Sequence, residues 1–467
     1  MNAQPEQAPS PTWGSFRDPD GHVVLALNGP IVRNLAPSGL QRSREIGALS
    51  TVRRFQHQGQ WVAAESHEGS PPHLVHPRVF FPSYPYEWSA TMLHRAAVLT
   101  LEANRALLEE GWELKDATPT NVLFEGIKAV FVDFLSPVKR EPSQLGWRAY
   151  GQFTRTFLIP LLLQRRRQIP LRWMFLAHRD GIPPAMALPM LGLAARFHPV
   201  AFGLITLPAW MDGRASSSAY RKAAAPSEDI AATVASRILK GLGRRLERLR
   251  PLPPKSSSWF DYQDQGTSYT REGLAAKEAF IASSLAACRP ATVLDLGCNT
   301  GKFSKMAARS GSRVVALDSD PECVDRLFLE AEAEGLDIQP LVADLGRPSP
   351  RLGWDYSEEF SLLDRLESRF DMTFALALVH HLLIRERVPM VSIAAFLAKT
   401  TTKSAVIEWV PPHDPQFQFL AGPNHSLYSM ITLDRFLAAL EPWFEVDSTL
   451  KIPDSGRVLL RVTRRPT

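Results

Sequence analysis

The carboxyl-terminal half of this sequence predicts an α/β fold with a largely parallel sheet, and three neighbouring features carry that prediction. Thr292–Leu296 is a short apolar run of the kind that a buried parallel strand needs. A turn with two glycines follows at 297–301, where the backbone can bend sharply. Lys302–Arg309 then predicts a helix, and 313–317 predicts a second buried strand. Strand, turn, helix and strand in this order predict a parallel βαβ unit.

Further apolar runs extend this unit to a Rossmann-like seven-stranded sheet over residues 259–467. Two more helices are predicted at 271–287 and 322–334. Five more strands are predicted at 338–343, 371–379, 404–410, 444–452 and 457–463. The last two predict an antiparallel pair at one end of the sheet.

An acidic residue closes the second predicted strand. Asp318 follows the glycine turn by about 20 residues, the spacing at which a carboxylate can hydrogen-bond the hydroxyls of a ribose. The turn itself reads G-x-x-x-G, whereas a dinucleotide site favours G-x-G-x-x-G. A nucleoside-containing cofactor is therefore favoured over a dinucleotide, and an ordinary strand–helix turn is the remaining alternative.

This pattern resembles the cofactor site of class I S-adenosylmethionine (SAM)-dependent methyltransferases. In that family an acidic residue, a glycine-rich turn and a second acidic residue occur in the same order. The resemblance implies that SAM is bound by Asp295, Gly297, Cys298, Asn299, Gly301, Asp318 and Asp344. Asp344, at the end of the third predicted strand, would contact the adenine amino group.

Three residues near the ends of the fourth and fifth predicted strands are candidate bases for methyl transfer. His380 and His381 have the side chain whose pKa lies nearest neutral pH, and Glu408 ends its strand at the same edge of the sheet. Packing, helix capping or a structural hydrogen bond is the alternative for each. No Asp/Asn-Pro-Pro-Tyr motif ends the fourth strand, which argues against the family's base-amine and glutamine methylating classes.

A second motif lies in the amino-terminal half. Asp116, Pro119, Asn121 and Asp133 match, in order and spacing, the catalytic and metal-binding loops of the protein-kinase-like fold, which this stretch resembles. The resemblance implies that Asp116 takes the acceptor's proton while Asn121 and Asp133 hold magnesium with ATP. No glycine-rich loop or Val-Ala-x-Lys strand precedes them, and Arg33 is only a weak stand-in for the lysine. A shell kept for structure or substrate binding is the alternative.

The middle of the chain is strongly basic. Residues 148–255 hold 18 Lys and Arg against five Asp and Glu, a net charge of +13, whereas the whole chain carries +5. The amphipathic stretch 229–249 can dock on an anionic membrane surface or pack on a neighbouring domain. Residues 186–210 are too interrupted by proline and charge for a membrane span, so they predict buried helices or an interfacial patch. No nucleic-acid partner is expected, because no aromatic-basic motif accompanies the charge.

The sequence predicts five regions. They are a disordered tail at 1–18, a kinase-like α+β region at 19–140, a basic helical region at 141–250, a linker at 251–258 and the methyltransferase domain at 259–467. In the second region, Asn28-Gly29 predicts a hairpin, 38–49 a helix, 51–55, 61–65 and 79–81 extended runs, and Ser89 the cap of a long helix. Three cysteines and a start without signal-peptide features favour the cytoplasm, either free or membrane-associated.

The expected activity is SAM-dependent methylation of a small molecule or of a glycan or glycolipid hydroxyl. The sugar or glycolipid acceptor is implied by the two-part layout, which resembles nodulation-type methyltransferases. A bifunctional kinase–methyltransferase and a non-catalytic scaffold that binds SAM or a nucleotide are the alternatives.

Overall fold

A computed structural model describes residues 17–25, 29–69, 71–212, 227–254, 269–428 and 430–466 of the chain. The chain divides into two compact units. The first runs to Leu252 and includes Pro350–Phe360, and the second comprises Pro253–Ser349 and Ser361–Thr467. Residues 1–16 of the predicted tail, 255–258 of the predicted linker and Asn28 of the predicted hairpin turn lie outside the described residues.

The first unit contains a small antiparallel sheet of order β1-β2-β4-β3 and two separate two-stranded pairs, β5-β8 and β6-β7. Its strands are β1 Gly21–Leu25, β2 Ile31–Leu35, β3 Glu65–His67, β4 His73–His76, β5 Trp112–Leu114, β6 Val122–Glu125, β7 Lys128–Phe131 and β8 Pro137–Lys139. The antiparallel pairing of β1 with β2 agrees with the predicted hairpin. The predicted likeness of this region to protein kinases stays a prediction.

Helices make up the rest of the first unit. The longer ones are α1 Pro37–Ala48, α2 Ser50–His57, α3 Ala90–Glu109, α5 Ile159–Arg167 and α10 Glu228–Arg248. The shorter ones are α4 Tyr150–Phe153, α6 Leu171–Ala177, α7 Pro184–Met190, α8 Pro199–Ala201 and α9 Leu207–Asp212, with π-helical turns at Thr154–Leu158 and Phe202–Thr206 and a 3₁₀ turn at Ala194–Phe197. As predicted, the Ser89 side chain accepts a hydrogen bond from the Met92 backbone N–H at the start of α3.

The extended run predicted at 51–55 is wrong, because these residues belong to α2. Thr51, Val52 and Phe55 are buried on one side of that helix, a spacing that fits a helical period. The Glu110 carboxylate accepts hydrogen bonds from the backbone N–H groups of Ser50 and Thr51, at 2.9 and 2.8 Å. A carboxylate 59 residues away thus satisfies two free donors at the helix start, which no local reading of the sequence shows.

The two neighbouring extended predictions are also displaced. Within 61–65, Trp61 makes only a single bridge to Phe131, and the strand is β3 instead. Residues 79–81 are not a strand, and β4 precedes them. Trp61 is buried with its ring centroid 4.6 Å from that of Phe131, so packing adds to the two backbone hydrogen bonds that Phe131 makes with Gln60 and Val62.

The second unit confirms the predicted α/β fold. Its strands are β9 Thr292–Leu296, β10 Arg313–Asp318, β11 Ile338–Val342, β12 Phe370–Ala375, β13 Thr401–Trp409, β14 Phe444–Lys451 and β15 Val458–Arg464. Its helices are α11 Arg271–Cys288, α12 Lys302–Arg309, α13 Pro321–Glu334, α14 Leu362–Leu366, α15 Val379–Ile384, α16 Met390–Thr400, α17 Pro415–Ala421 and α18 Leu433–Leu440. The seven strands form one sheet of order β11-β10-β9-β12-β13-β15-β14.

The strand order fixes where a ligand can bind. β9 pairs in parallel with β10 on one side and with β12 on the other. The strands that follow β9 are therefore added first on one side of it and then on the other, which makes a switch point beside β9. Ligands of open parallel sheets bind at the carboxyl ends of the strands at such a switch point. The predicted strand 371–379 ends early, at Ala375, because Ala377 takes a left-handed backbone conformation and α15 begins at Val379. The two histidines therefore lie on a short helix directly after the strand.

Candidate functional site

The glycine turn after β9 forms the floor of the candidate site. Gly297 and Gly301 both have positive φ angles, of 72° and 74°. A Cβ atom at Gly301 would lie 2.3 Å from a methyl carbon of Leu327, which is fully buried. Glycine is thus required there both by backbone conformation and by the helix that packs behind the turn.

Asp318 is held in place by the turn that it faces. Its carboxylate accepts hydrogen bonds from the backbone N–H groups of Asn299, at 2.7 Å, and Asp320, at 2.9 Å. Burial raises the pKa of this carboxyl in spite of those two bonds. The result is a fixed acceptor at the carboxyl end of β10, the place expected for a group that binds ribose hydroxyls.

Asp295 is the more deeply buried of the two carboxylates. It is 2% exposed and accepts a hydrogen bond of 2.5 Å from the Ser304 hydroxyl. Burial raises the pKa of Asp295 to about 6, because the Ser304 bond and the charge of Lys277 only partly offset the loss of water. A carboxylate kept charged in such a place at neutral pH favours a cationic ligand.

A cavity of about 430 Å³ opens over these residues in the second unit. Seven predicted site residues line it: Asp295, Gly297, Cys298, Asn299, Asp318, Asp344 and His381. Gly301, His380 and Glu408 do not line it. The volume falls within the usual range for small-molecule sites. Two carboxylates beside a glycine turn suit a ligand that combines a ribose with positive charge, as SAM does, so the residues present fit that cofactor.

Asp344 is engaged by the loop that follows β11. One carboxylate oxygen accepts from the backbone N–H groups of Gly346 and Arg347, and the other lies 3.3 Å from the Arg347 guanidinium. The same guanidinium is 3.5 Å from Glu386. Asp344 therefore shapes this rim of the cavity through its loop, and its contact with adenine stays a prediction.

The two histidines of α15 have different surroundings. His381 lines the cavity, and burial together with the charges of Arg385 and Arg457 lowers its pKa to about 4. His380 is 1% exposed, both of its ring nitrogens lack a hydrogen-bond partner in the described structure, and burial lowers its pKa well below the usual range. Only His381 is placed to meet a molecule in the cavity, where it is an uncharged proton acceptor at neutral pH.

Glu408 is part of a fully buried charge cluster. Its carboxylate lies 2.6 Å from the Lys277 ammonium, 2.5 Å from the Tyr269 hydroxyl and 3.5 Å from the Arg457 guanidinium. Burial would raise the pKa of Glu408, but the charges of Lys277 and Arg457 lower it. Glu408 does not line the cavity and both of its oxygens are engaged, so its geometry suits an anchor for Lys277 and Tyr269, both of which reach the cavity.

Sequence reasoning missed Lys277 and Arg457. Lys277 had one usable signal: it occupies the buried face of α11, between Gly273 and Ile281, where a charged residue needs a partner. Arg457 gave none, because it is paired with Asp414 at 2.8 and 3.1 Å and with Glu408 across long stretches of sequence. The hydroxyl of Tyr269 accepts a hydrogen bond of 2.7 Å from Arg457.

In the first unit, the residues predicted for phosphoryl transfer lie close together. The side chain of Asn121 donates to the Asp116 backbone carbonyl, at 3.5 Å, and Asp133 lies 3.3 Å from the Arg33 guanidinium. Lys115 pairs with Asp18 at 2.8 Å. No group of three or more His, Cys, Asp or Glu suited to a metal ion occurs among the described residues. The magnesium role of Asn121 and Asp133 and the catalytic role of Asp116 stay predictions.

Comparison with known proteins identifies the class of protein and its family. Residues 293–395 match the family model described as a methyltransferase domain, which spans the glycine turn, Asp318, Asp344 and His381. Together with the seven-stranded sheet and its cavity, this match defines the chain as a SAM-dependent methyltransferase. The chain is 30% identical over 467 residues to the nodulation protein NoeA of Rhizobium meliloti (strain 1021), across 98% of this chain and 96% of that protein. It belongs to the NoeA family.

Two solved structures match less than half of the chain. The N-methyltransferase NodS from Bradyrhizobium japonicum WM9 is 13% identical, with 42% of this chain and 98% of NodS covered and a TM-score of 0.32. The bifunctional kinase–methyltransferase WbdD is 18% identical, with 46% and 44% covered and a TM-score of 0.30. At these TM-scores the likeness does not bear on the acceptor or on the first unit.

Proposed function

We propose that the protein methylates a hydroxyl group of a small molecule or a glycan, with His381 as the general base. The observation that carries this proposal is the uncharged imidazole of His381 in the wall of the cavity that also holds Asp295 and Asp318. A hydroxyl must lose its proton as its oxygen forms a bond to carbon, and an uncharged histidine can accept that proton. The resemblance to nodulation-type methyltransferases supports a sugar or glycolipid acceptor.

The roles of the residues follow from their positions. When bound, SAM supplies an electrophilic methyl group, and S-adenosylhomocysteine is released after the transfer. Asp318 would hold the ribose and Asp295 the positive charge of the cofactor. His381 would take the hydroxyl proton of the acceptor, while Lys277 and Tyr269, fixed by Glu408, would close one wall of the cavity. The main contribution of the protein is then alignment of the acceptor and exclusion of water.

Calorimetry tests the cofactor part of the proposal. Replacing Asp318 with Ala removes a fixed acceptor and should weaken SAM binding by roughly 10–150-fold, the equivalent of about 1.5–3 kcal/mol for a hydrogen bond with a charged partner. Asp337→Ala is the matched control, since Asp337 is surface-exposed and, within the described residues, its side chain pairs with Arg313 at the opposite edge of the sheet. Equal affinity of the Asp318→Ala variant and the wild type would remove Asp318 from the site.

Product analysis tests the acceptor part. The protein, SAM and a panel of oligosaccharides, with and without acyl chains, should yield S-adenosylhomocysteine and an O-methyl sugar detectable by mass spectrometry. His381→Ala should bind SAM normally and lose this product. SAM binding without S-adenosylhomocysteine for any acceptor would favour the scaffold alternative, and an N-methylated product would refute the hydroxyl acceptor.

A kinase activity of the first unit remains a second hypothesis because one observation favours it. Arg33, the weak stand-in for the kinase lysine, does reach Asp133, the predicted metal ligand. Magnesium-dependent ATP consumption that disappears in Asp116→Ala would support the hypothesis. The absence of phosphoryl transfer in the wild type, or equal transfer in both forms, would refute it.

A further inference from the structure

A cluster of short helices in the first unit exposes large apolar side chains. It consists of α7, the 3₁₀ turn Ala194–Phe197, α8, the π-turn Phe202–Thr206 and α9, which pack against one another. We call residues 184–211 the short-helix cluster. The exposed apolar side chains in it are Met186, Leu193, Phe197, Leu207, Trp210 and Met211. Leu193 is 75% exposed, Phe197 70% and Trp210 53%. Packing within the cluster therefore leaves several large apolar side chains exposed to solvent.

Most of the charge around this cluster is positive, with Asp212 at the end of α9 as an exception. No Asp or Glu occurs between Asp180 and Asp212, a stretch that contains Arg196. Four further arginines approach it from α5 and α10. Arg167 and Arg245 reach to within 3.4 Å of the positions that Cβ atoms on Gly192 and Gly203 would take.

The other two act on His198: burial and the charges of Arg166 and Arg248 lower its pKa. Within the described parts of the chain, Arg166, Arg167, Arg245 and Arg248 form no ion pair. The apolar cluster is therefore bordered by guanidinium groups that have no anionic partner of their own.

We propose that the short-helix cluster docks on the surface of an anionic lipid bilayer. Trp, Phe, Leu and Met side chains enter the boundary between headgroups and acyl chains, and unpaired arginines bind the lipid phosphates. A second copy of the same surface would set positive charge against positive charge, which disfavours self-association. No helix in the described residues is both long and apolar enough to cross a membrane, so the cluster lies on the bilayer and does not span it.

Co-sedimentation of the full-length protein with vesicles tests this inference and needs neither SAM nor an acceptor. The protein should bind vesicles of phosphatidylcholine mixed equally with phosphatidylglycerol, bind pure phosphatidylcholine much more weakly, and be released from the mixed vesicles by high salt. The triple variant L193S/F197S/W210S should lose this binding. The matched control L427S/F419S/W354S removes the same residue types, which are at least as exposed, elsewhere in the chain and should bind like the wild type.

A charge variant distinguishes the contribution of the arginines to vesicle binding from that of the apolar side chains. Arg166→Gln combined with Arg248→Gln should reduce binding to the mixed vesicles by roughly 30-fold, from about five-fold for each arginine. Melting curves of all variants check that they fold. The absence of wild-type binding, equal binding to both vesicle types, or equal loss in the matched control would overturn the proposal. Loss of a dimer in L193S/F197S/W210S, without vesicle binding by the wild type, would instead assign the surface to self-association.

Discussion

Replacing Asp295 with Asn should make the cofactor-free protein more stable and at the same time impair SAM binding. The pKa of this carboxyl rises from an ordinary 3.8 to about 6 in the folded protein. Each pKa unit corresponds to about 1.4 kcal/mol, so keeping the carboxylate charged in the folded protein costs about 3 kcal/mol at pH 8. Asn is neutral at every pH and retains an oxygen that can accept the Ser304 hydrogen bond.

The sign of the pH dependence follows from the raised pKa. The favourable contribution of a protonated Asp295 is fully present below its unfolded pKa, near 3.8, and is lost as the pH rises through about 6. The cofactor-free Asp295→Asn variant should therefore melt roughly 6–12 °C above the wild type at pH 8, the equivalent of about 3 kcal/mol for a unit of this size. The difference should shrink toward zero at pH 4.

SAM binding should change in the opposite direction. Loss of the charged acceptor should weaken binding by roughly 10–150-fold at pH 8, measured by calorimetry. Wild-type affinity should fall as the pH drops through about 6, where Asp295 takes up a proton, whereas the affinity of the variant should not follow this titration. Asp337→Asn serves as the exposed control and should change neither quantity. A variant that melts below the wild type at pH 8, or that binds SAM equally well, would refute the reasoning.

Three further predictions concern other parts of the second unit. His381→Ala should lower kcat by roughly 10²–10⁴-fold with little effect on SAM affinity. A base with a pKa of about 4 stays uncharged above that pH, so titration of His381 should leave the wild-type kcat level from pH 8 to 5 and lower it only toward pH 4. Glu408→Gln should lower the free energy of unfolding by about 3–5 kcal/mol in urea, since Lys277 loses its buried partner; a change below 1 kcal/mol would contradict the anchor role. Gly301→Ala should destabilise the protein by about 1–3 kcal/mol more than Gly311→Ala, because Gly311 also has a positive φ angle, of 96°, but no neighbour within 4 Å. Equal losses would show that the contact with the buried helix behind the turn is unimportant.

Much of the candidate cofactor site could be predicted because it is local in sequence. The strand, turn, helix and second strand lie within 292–318, and Asp318 is held by the N–H of Asn299, 19 residues before it. Such a window of sequence shows the apolar runs, the two glycines that permit a left-handed backbone and the position of the acidic residue. The bounds of β9 and α12 therefore agree with the prediction. Asp295, Asp318 and His381 line one cavity, as their positions near the carboxyl ends of β9, β10 and β12 imply.

The sequence failed where a residue's state depends on a distant partner. A β-branched and aromatic run at 51–55 resembles a strand, but the Glu110 carboxylate and the burial of Val52 and Phe55 favour α2. The sequence cannot distinguish the adjacent residues His380 and His381. The direction of the short helix α15 places His381 in the wall of the cavity and His380 in the core.

By itself, the sequence determined the fold of the carboxyl-terminal half, the glycine turn at 297–301 and the basic character of the middle region, because each depends on a local pattern. The tertiary structure decided which groups are charged and which surfaces are free. Lys277 and Arg457 meet Glu408 across 131 and 49 residues, and only that meeting makes Glu408 an anchor with a lowered pKa. In the same way, the apolar residues of 184–211 are as compatible with a buried core as with an exposed surface. Packing of the short helices left Leu193, Phe197 and Trp210 facing water. Burial depends on the whole chain, and it sets both pKa values and exposed surfaces.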